Sequence, residues 1–398
     1  MSNSKVAGAV SKAGYFQGQT ALLTSAEETA LTESKTKADR NKVIDVLRGL
    51  CIVSMLTGHF GTETYLRYWT HLPRFFDGAA GFVFLSGLVL GLVHARRIQK
   101  HGEWNTAKLI VKRAGLLFIA HIFITLVAFG IHERTGRIAS VPSVSALGGM
   151  KETLLLVSTL RLQPFGLGLD ILPLYVVFLL STPVALGMMR RKMTGPVLLI
   201  SFALYASVQI RPDLLNLVEP RSGSVAFYWA AWQLLFVLGL VIGWHRDKFR
   251  VLLRGRGRLL SLVVSLPILT CGLIFAQLDT HKLLERSRLP LPQLYSGFDK
   301  PTLGILQLIY FLSSLVPGYL FLRWLYYSHF GEKILGLFAM LGRLSLYCFL
   351  VHLGYTLLIR AFVTETWTPV QQEWVTLFGL ALVAFMAKFQ ILRRWIPN

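Results

Sequence analysis

Two pairs of arginine and histidine residues point most directly to chemistry in this sequence. Arg48 and His59 lie in one apolar segment with ten residues between them, and Arg343 and His352 lie in a second. An ionisable side chain inside a bilayer is costly unless it faces protein or water, so such residues are candidates for function. A guanidinium binds anionic groups, and a neutral imidazole can serve as a general base or a nucleophile. The pairs therefore predict a site for an anionic ligand and for proton or acyl transfer.

Helical geometry separates the two members of the first pair. Residues eleven apart lie on nearly the same helix face and about 16 Å apart along the axis, which predicts Arg48 near the cytoplasmic boundary and His59 towards the outer third of the membrane. Asp45 precedes Arg48 by three residues, the spacing of a same-face ion pair. Two plainer interpretations stay open. Arg48 can be a cationic anchor at the membrane edge, and His59 can be a buried imidazole bonded to a backbone carbonyl.

Other ionisable side chains extend this prediction. His352 is predicted in the outer part of its span and Arg343 in the inner part, which repeats the arrangement of the first pair. Asp170 begins another apolar segment at the outer boundary, where a carboxylate beside an imidazole would fix its tautomer and increase its basicity. His121, in the middle of a span, is interpreted as a satisfied packing residue. The sequence has no HExxH motif, nucleophile elbow or phosphate-binding loop, and no metal site is predicted.

The composition indicates what kind of elements must position these residues. Of 398 residues, 54% are hydrophobic and 12% aromatic, which is typical of an integral membrane protein. The formal net charge is +21, but the cations lie between long apolar runs. This pattern indicates loops that face anionic membrane lipid and argues against nucleic acid as a partner. The three cysteines lie inside apolar segments, where a thiol behaves as a small hydrophobe.

The apolar segments predict an all-α fold with about ten transmembrane helices. The predicted spans cover residues 43–60, 78–95, 109–130, 170–189, 195–210, 225–244, 258–278, 303–325, 334–357 and 372–389. Cations concentrate in alternate loops, which predicts that both termini are cytoplasmic. Residues 1–40 are rich in Ser, Thr, Ala, Glu and Lys and are predicted to be a disordered cytoplasmic tail. Glycines over 78–87 are predicted to allow close packing of the second span.

Several stretches taken together resemble membrane-bound acyltransferases of family three. These stretches are the spacing from Arg48 to His59, the sequence FVFLSG at 82–87, and GRLS at 342–345 leading to His352. The sequence looks still more similar to the OpgC group, which is named for the succinylation of osmoregulated periplasmic glucans. That similarity lies in IDVLRG at 44–49, DILPLYVV at 170–177 and AWQLLFVLG at 231–239. Together the resemblance covers essentially residues 40–395.

The resemblance implies a ten-helix acyltransferase domain over residues 41–395 in the bacterial inner membrane. Such an enzyme takes an acyl group, succinyl or acetyl, from cytoplasmic acyl-CoA and delivers it to a hydroxyl of a periplasmic glycan. The histidine matching His59 is the favoured catalytic residue in such a family, and the arginine matching Arg48 is important for function. His59 acts either as a general base or as a transient acyl carrier. Its expected companions are His352 and Asp170.

The same resemblance assigns the donor to the cytoplasmic side. Arg48, Asp45 and Arg343 lie near the face at which a polyanionic CoA would arrive, so they are predicted to bind it. A succinyl group would need another cation for its free carboxylate, and Arg67, Arg74 and Arg161 are the candidates. An acetyl group would need none. The sequence leaves the oligomeric state open.

Two other classes of function compete with acyl transfer. In a polytopic transporter or flippase, the intramembrane arginine and histidines would line a conduction path. The halves of the chain show no repeat, which argues against that class. In a structural membrane subunit, His59 would tolerate replacement by Asn or Gln.

Overall fold

Helices make up the regular structure of the chain. The computed structural model describes residues 41–60, 64–71, 77–135, 171–212, 227–280, 296–362 and 367–391, and no strand occurs among them. The helices are α1 (Lys42–Phe60), α2 (Tyr65–Thr70), α3 (Gly78–Thr135), α4 (Ile171–Arg190), α5 (Thr194–Ile210), α6 (Trp229–Trp244), α7 (Arg246–Phe249), α8 (Gly255–Thr280), α9 (Ile305–Tyr326), α10 (Gly331–Arg343), α11 (Ser345–Phe362) and α12 (Pro369–Phe389), with a short 3-10 helix at Arg250–Leu253. This confirms the all-α prediction for the described part. The predicted tail, residues 1–40, lies outside the described residues.

Several of these helices suit a membrane. Among the described residues, α1, α3, α4, α8, α9 and α12 are long and apolar enough to cross, α10 and α11 pass only as a bent pair, and α5 and α6 are apolar but shorter. Large apolar side chains remain exposed on them, including Leu199 at 71% and Val184 and Leu260 at 66% each, as expected of surfaces that face lipid rather than water. The chain is therefore a membrane protein. Each predicted span overlaps helix within its described residues, but the count of ten crossings and the orientation of the termini stay predictions.

Two breaks depart from a simple series of straight spans. Helix α3 contains the second and third predicted spans and is interrupted at Gly102, whose backbone (φ 77°, ψ 170°) is not helical. That φ lies in the region that glycine adopts without steric cost. The span predicted over 334–357 is bent, because α10 and α11 meet at 83°. Helix α10 is amphipathic, with Glu332 and Lys333 exposed and Leu335 and Leu341 buried, and such a helix is poorly suited to a straight apolar span.

Glycines bring α3 and α6 into close contact. A Cβ atom on Gly87 or Gly91 would clash with backbone of α6, and one on Gly239 or Gly243 would clash with backbone of α3. Both helices thus present glycines four residues apart at one interface, a pattern typical of tightly packed membrane helices. This confirms that the glycine-rich second span serves packing. The contact holds α3 firmly beside the buried centre of α6, where Trp232 is fully buried.

Candidate active site

The two histidines predicted to be catalytic lie together. His59 is the penultimate residue of α1, and its ring stacks on that of His352 in α11, with centroids 5.2 Å apart and an interplanar angle of 27°. His352 is fully buried, whereas His59 is partly exposed. We use the name histidine end of α1 for His59, His352, the short helix α2 and the residues that contact α2. The arrangement leaves His59 as the ring that a substrate can reach.

Two phenylalanines and a backbone carbonyl hold the His352 ring. Its Nδ1 donates a hydrogen bond to the Phe349 carbonyl at 3.0 Å, and its ring lies 5.4 Å from that of Phe349, which in turn stacks on Phe82 at 5.5 Å. Because a carbonyl oxygen only accepts, Nδ1 carries the hydrogen and Nε2 presents a lone pair in the neutral ring. Nε2 is buried and has no hydrogen-bond partner among the described residues. His352 is therefore fixed in position and tautomer.

The short helix α2 crosses the end of α1 beside His59. The Thr57 and Thr70 hydroxyls are 2.7 Å apart, and the Arg67 guanidinium donates to the carbonyl of Gly58 at 3.4 Å. On its other side, α2 is tied to α12 because the Leu66 amide donates to Glu373 Oε1 at 3.0 Å. Arg67 therefore places a cation next to the backbone of the catalytic candidate.

The other two candidates for a carboxylate-binding cation, Arg74 and Arg161, lie outside the described residues, as does Asp170. The hydroxyl of Tyr175, five residues after Asp170, donates to the Phe82 carbonyl at 2.9 Å and lies 2.7 Å from Ser86 Oγ, from which it can accept. The helix that follows Asp170 is thus bonded to the same stretch of α3 that supports the histidines. A role for Asp170 itself stays a prediction.

A network of charges that sequence reasoning missed adjoins the histidine end. His71 follows α2, and its ring packs against Gly58. Burial lowers the pKa of His71, with Arg67 and Lys300 lowering it further, while Asp77 acts in the opposite direction. Asp77 accepts a hydrogen bond from the Ala79 amide at 3.0 Å and pairs with Lys300 at 2.8 Å. Aspartate directly before a glycine-rich helix is a common N-terminal cap, and this signal in the sequence could have identified Asp77.

The opposite end of α1 carries the predicted anion-binding residues. The half-buried Arg48 guanidinium donates to Ser345 Oγ at the start of α11. Nearby, a Cβ atom on Gly342 would clash with the Asp45 carbonyl, and one on Gly49 would clash with the Phe338 carbonyl. We call this region the arginine end of α1. It is built by backbone contact between α1 and α10.

The other two predicted residues of the arginine end are Asp45 and Arg343. Asp45 is buried one turn before Arg48, and the predicted ion pair between them stays a prediction. Arg343 is exposed at the C-terminal end of α10, and Ser345, which was not predicted, is the residue that bonds Arg48. Since α1 is a continuous helix, the arginine and histidine ends are separated by about 16 Å along its axis.

His121 takes no part in either end. Its side chain is buried in α3, and neither ring nitrogen has a hydrogen-bond partner among the described residues. The prediction that it packs in the core is confirmed, whereas the prediction that its ring is satisfied stays a prediction. Within the described ranges, no three His, Cys, Asp or Glu side chains are grouped closely enough to hold a metal ion.

The stretches behind the sequence resemblance prove to contact one another. Tyr175 bonds Phe82 and Ser86, and Gly239 packs against Phe84. The Trp232 indole donates to the Pro301 carbonyl at 3.1 Å, next to Lys300, which pairs with Asp77. A protein-family model described as OpgC protein matches residues 40–395. A comparison with curated proteins finds no match. On the extent of the family match, the chain belongs to the OpgC protein family.

Proposed function

We propose that this protein is a transmembrane O-acyltransferase that moves a succinyl group from cytoplasmic acyl-CoA to a hydroxyl of a periplasmic glucan. Family membership indicates an enzyme with a role in modifying osmoregulated periplasmic glucans. The observation that carries the finer proposal is the stacking of His59 on His352, with ring centroids 5.2 Å apart. His59 lies on α1, the helix that presents Arg48 at its other end. This arrangement also fits the acyltransferases of family three that the sequence resembles.

In this proposal His59 is the general base. Its imidazole takes the proton of the acceptor hydroxyl while that oxygen forms a bond to the acyl carbon. The carbon–sulfur bond of the thioester then breaks, and the imidazolium returns the proton to the departing thiolate. The partial exposure of His59 supports this role, because an acceptor must reach the base directly. Transient acylation of the same imidazole is the alternative covalent route.

His352 is proposed to position His59 rather than to contact the substrate. It is fully buried and holds its Nδ1 hydrogen on a backbone carbonyl, so its ring offers a fixed face for His59 to stack on. A restrained imidazole loses less freedom on reaching the reactive geometry, which is a major source of rate enhancement. The Nε2 of His352, which has no hydrogen-bond partner in the described part of the chain, supplies a lone pair without adding charge to the buried site.

Two cations suit the two anionic parts of a succinyl donor. Arg48, at the arginine end, is proposed to bind the CoA phosphates, because guanidinium is well matched to phosphate oxygens. Arg67, next to His59, is proposed to bind the free carboxylate of the succinyl group. The donor would then extend about 16 Å along α1, with its thioester at the histidine end. This arrangement requires the arginine end to face the cytoplasm. The concentration of cations in alternate loops supports that orientation in the inner membrane.

The experiment that tests the proposal uses the purified full-length protein, a periplasmic glucan fraction and labelled succinyl-CoA or acetyl-CoA. We expect loss of the thioester together with transfer of the label to glucan, and a higher rate with succinyl-CoA. Consumption of neither donor in the presence of glucan would overturn the proposal. If the same protein in vesicles moved labelled solute without breaking a thioester, it would be a transporter.

A further inference from the structure

A large cavity opens among helix ends away from the histidine end. Its volume is about 1160 Å³, and it is lined by residues of α3, α4, α5, α6 and the segment that leads through α7 to the 3-10 helix. Ligand pockets typically measure roughly 300–1,000 Å³, so this one can hold a bulky group. Helix α3 supports the histidine end with Phe82 and lines the cavity with Ile98, about 24 Å farther along the helix axis. The cavity is therefore distinct from the histidine end.

The deeper wall of the cavity is apolar. Ile98 and Val241 are buried there, Leu198 lines it from α5, and Trp244 closes the α6 side. Only part of this wall is covered by protein, because Leu252, on the same cavity, is 42% exposed. A wall of this kind favours a ligand that carries hydrocarbon.

The rim of the cavity is cationic. Arg190, Lys192 and Lys248 all line it, and no lining residue is acidic. Glu103 pairs with Arg190 at 3.1 Å and so offsets its charge. By contrast, Lys192 and Lys248 form no ion pair within the described ranges, and both are exposed. Two uncompensated ammonium groups beside an apolar wall suit an anionic amphiphile.

Neutral polar groups and the neighbouring segment agree with this chemistry. The Thr194 hydroxyl and His245 Nε2 are 2.9 Å apart at the cavity and supply further hydrogen-bonding capacity. The 3-10 helix begins with the exposed cation Arg250, and the exposed apolar residues Val251 and Leu252 follow it. Such a segment is typical of the boundary between lipid head groups and acyl chains. The distribution of cations in the sequence predicts that this face lies in the cytoplasmic leaflet, which carries anionic lipid.

We propose that this cavity binds the phosphate head group of an anionic phospholipid. Lys192 and Lys248 contact the phosphodiester, the Thr194 hydroxyl donates to one of its oxygens, and the first methylenes of the acyl chains lie on the apolar wall. Basic pockets between membrane helices bind anionic head groups by this combination of charge and apolar surface. The site is independent of the acyl-transfer chemistry proposed for His59.

The test is native mass spectrometry of the full-length protein in detergent with added phosphatidylglycerol or phosphatidylcholine. The wild-type protein should retain one phosphatidylglycerol molecule in preference to phosphatidylcholine. Lys192→Gln combined with Lys248→Gln should weaken phosphatidylglycerol binding about thirtyfold, since each basic residue near anionic lipid contributes about fivefold. Leu198→Trp fills the cavity without a change of charge and should also reduce retention.

The matched control is Lys112→Gln combined with Arg256→Gln, which removes two exposed cations outside the cavity and should leave binding unchanged. Equal weakening in this control, or no preference for phosphatidylglycerol in the wild type, would overturn the proposal. Competition with CoA distinguishes the other phosphate source. If CoA displaces the lipid from the wild type, and binds the Lys192→Gln, Lys248→Gln variant much more weakly, the cavity holds a nucleotide and the lipid assignment is wrong.

Discussion

The two ends of α1 are built in different ways. At the histidine end, side chains from α1, α2, α11 and α12 meet through ring stacking and hydrogen bonds, as in the stack of His59 on His352. At the arginine end, α1 and α10 meet through backbone at Gly49 and Gly342, and the Arg48 guanidinium donates to Ser345 Oγ. The chemistry thus lies where individual side chains can be adjusted. The opposite end anchors the helix in a contact that tolerates no added atom.

The largest effect is expected from a substitution in that backbone contact. Gly342→Val would drive a side chain into the Asp45 carbonyl, and overpacking of this kind commonly costs about 1–3 kcal/mol, more where backbone cannot move. We expect little folded protein after detergent extraction, judged by size-exclusion chromatography and thermal unfolding. Gly336→Val is the control, because this glycine of the same helix has open space around it. Equal stability of the two variants would show that the contact is not tight.

The next effect concerns the charge at the arginine end. Arg48→Ala should raise the KM for succinyl-CoA about tenfold or more, because a hydrogen bond to a charged group contributes about 1.5–3 kcal/mol. Arg48→Lys should recover part of this loss, and Ser345→Ala should give a smaller rise. The measurement is the steady-state rate of acyl transfer by each variant over a series of succinyl-CoA concentrations. Arg256→Ala, an exposed cation elsewhere, is the control. An unchanged KM in Arg48→Ala would reduce this residue to a membrane anchor.

A specificity effect is expected at the histidine end. Arg67→Ala should lower kcat/KM for succinyl-CoA about tenfold, the cost of one charge-assisted contact. The value of kcat/KM for acetyl-CoA should stay nearly constant, because the acetyl group has no free carboxylate. The readout is the ratio of the two values in the variant and the wild type. An equal fall with both donors would indicate that Arg67 only holds α2 on Gly58.

The smallest effect is a dependence on pH. Burial depresses the pKa of His71 in the folded protein below its ordinary value of 6.5. Protonation of His71 therefore favours the unfolded state, in which the ring is exposed. This contribution to stability is present above pH 6.5 and declines as the pH falls below that value. Thermal unfolding from pH 7.5 down to pH 5 should therefore show a smaller acid loss in His71→Gln than in the wild type. His101→Gln, at an exposed position, should behave as the wild type does.

The contrast between the two ends also explains what could be predicted from the sequence. The spans follow from apolar length, and His59 and His352 follow from the cost of burying an ionisable group. The stacking of these two rings could not be predicted, because it depends on how α1 packs against α11. The bend before Ser345 was missed because α10 and α11 form one apolar run in the sequence.

Polar contacts between distant segments were the other gap. The pairing of Asp77 with Lys300 and the bond from the Leu66 amide to Glu373 join parts of the chain that no spacing rule relates. The glycines over 78–87 did indicate close packing, but the partner helix of Gly87, α6, emerged only from the structure.

The central claim is that His59 performs acyl transfer, and the most direct measurement compares His59→Ala with His101→Ala. Both variants are purified at equal amounts after confirmation of membrane insertion and thermal unfolding, and each is assayed for transfer of labelled succinyl to periplasmic glucan. Loss of a general base lowers rates about 10²–10⁴-fold, so we predict that loss in His59→Ala and none in His101→Ala. Transfer by His59→Ala at the rate of the wild type would contradict the account.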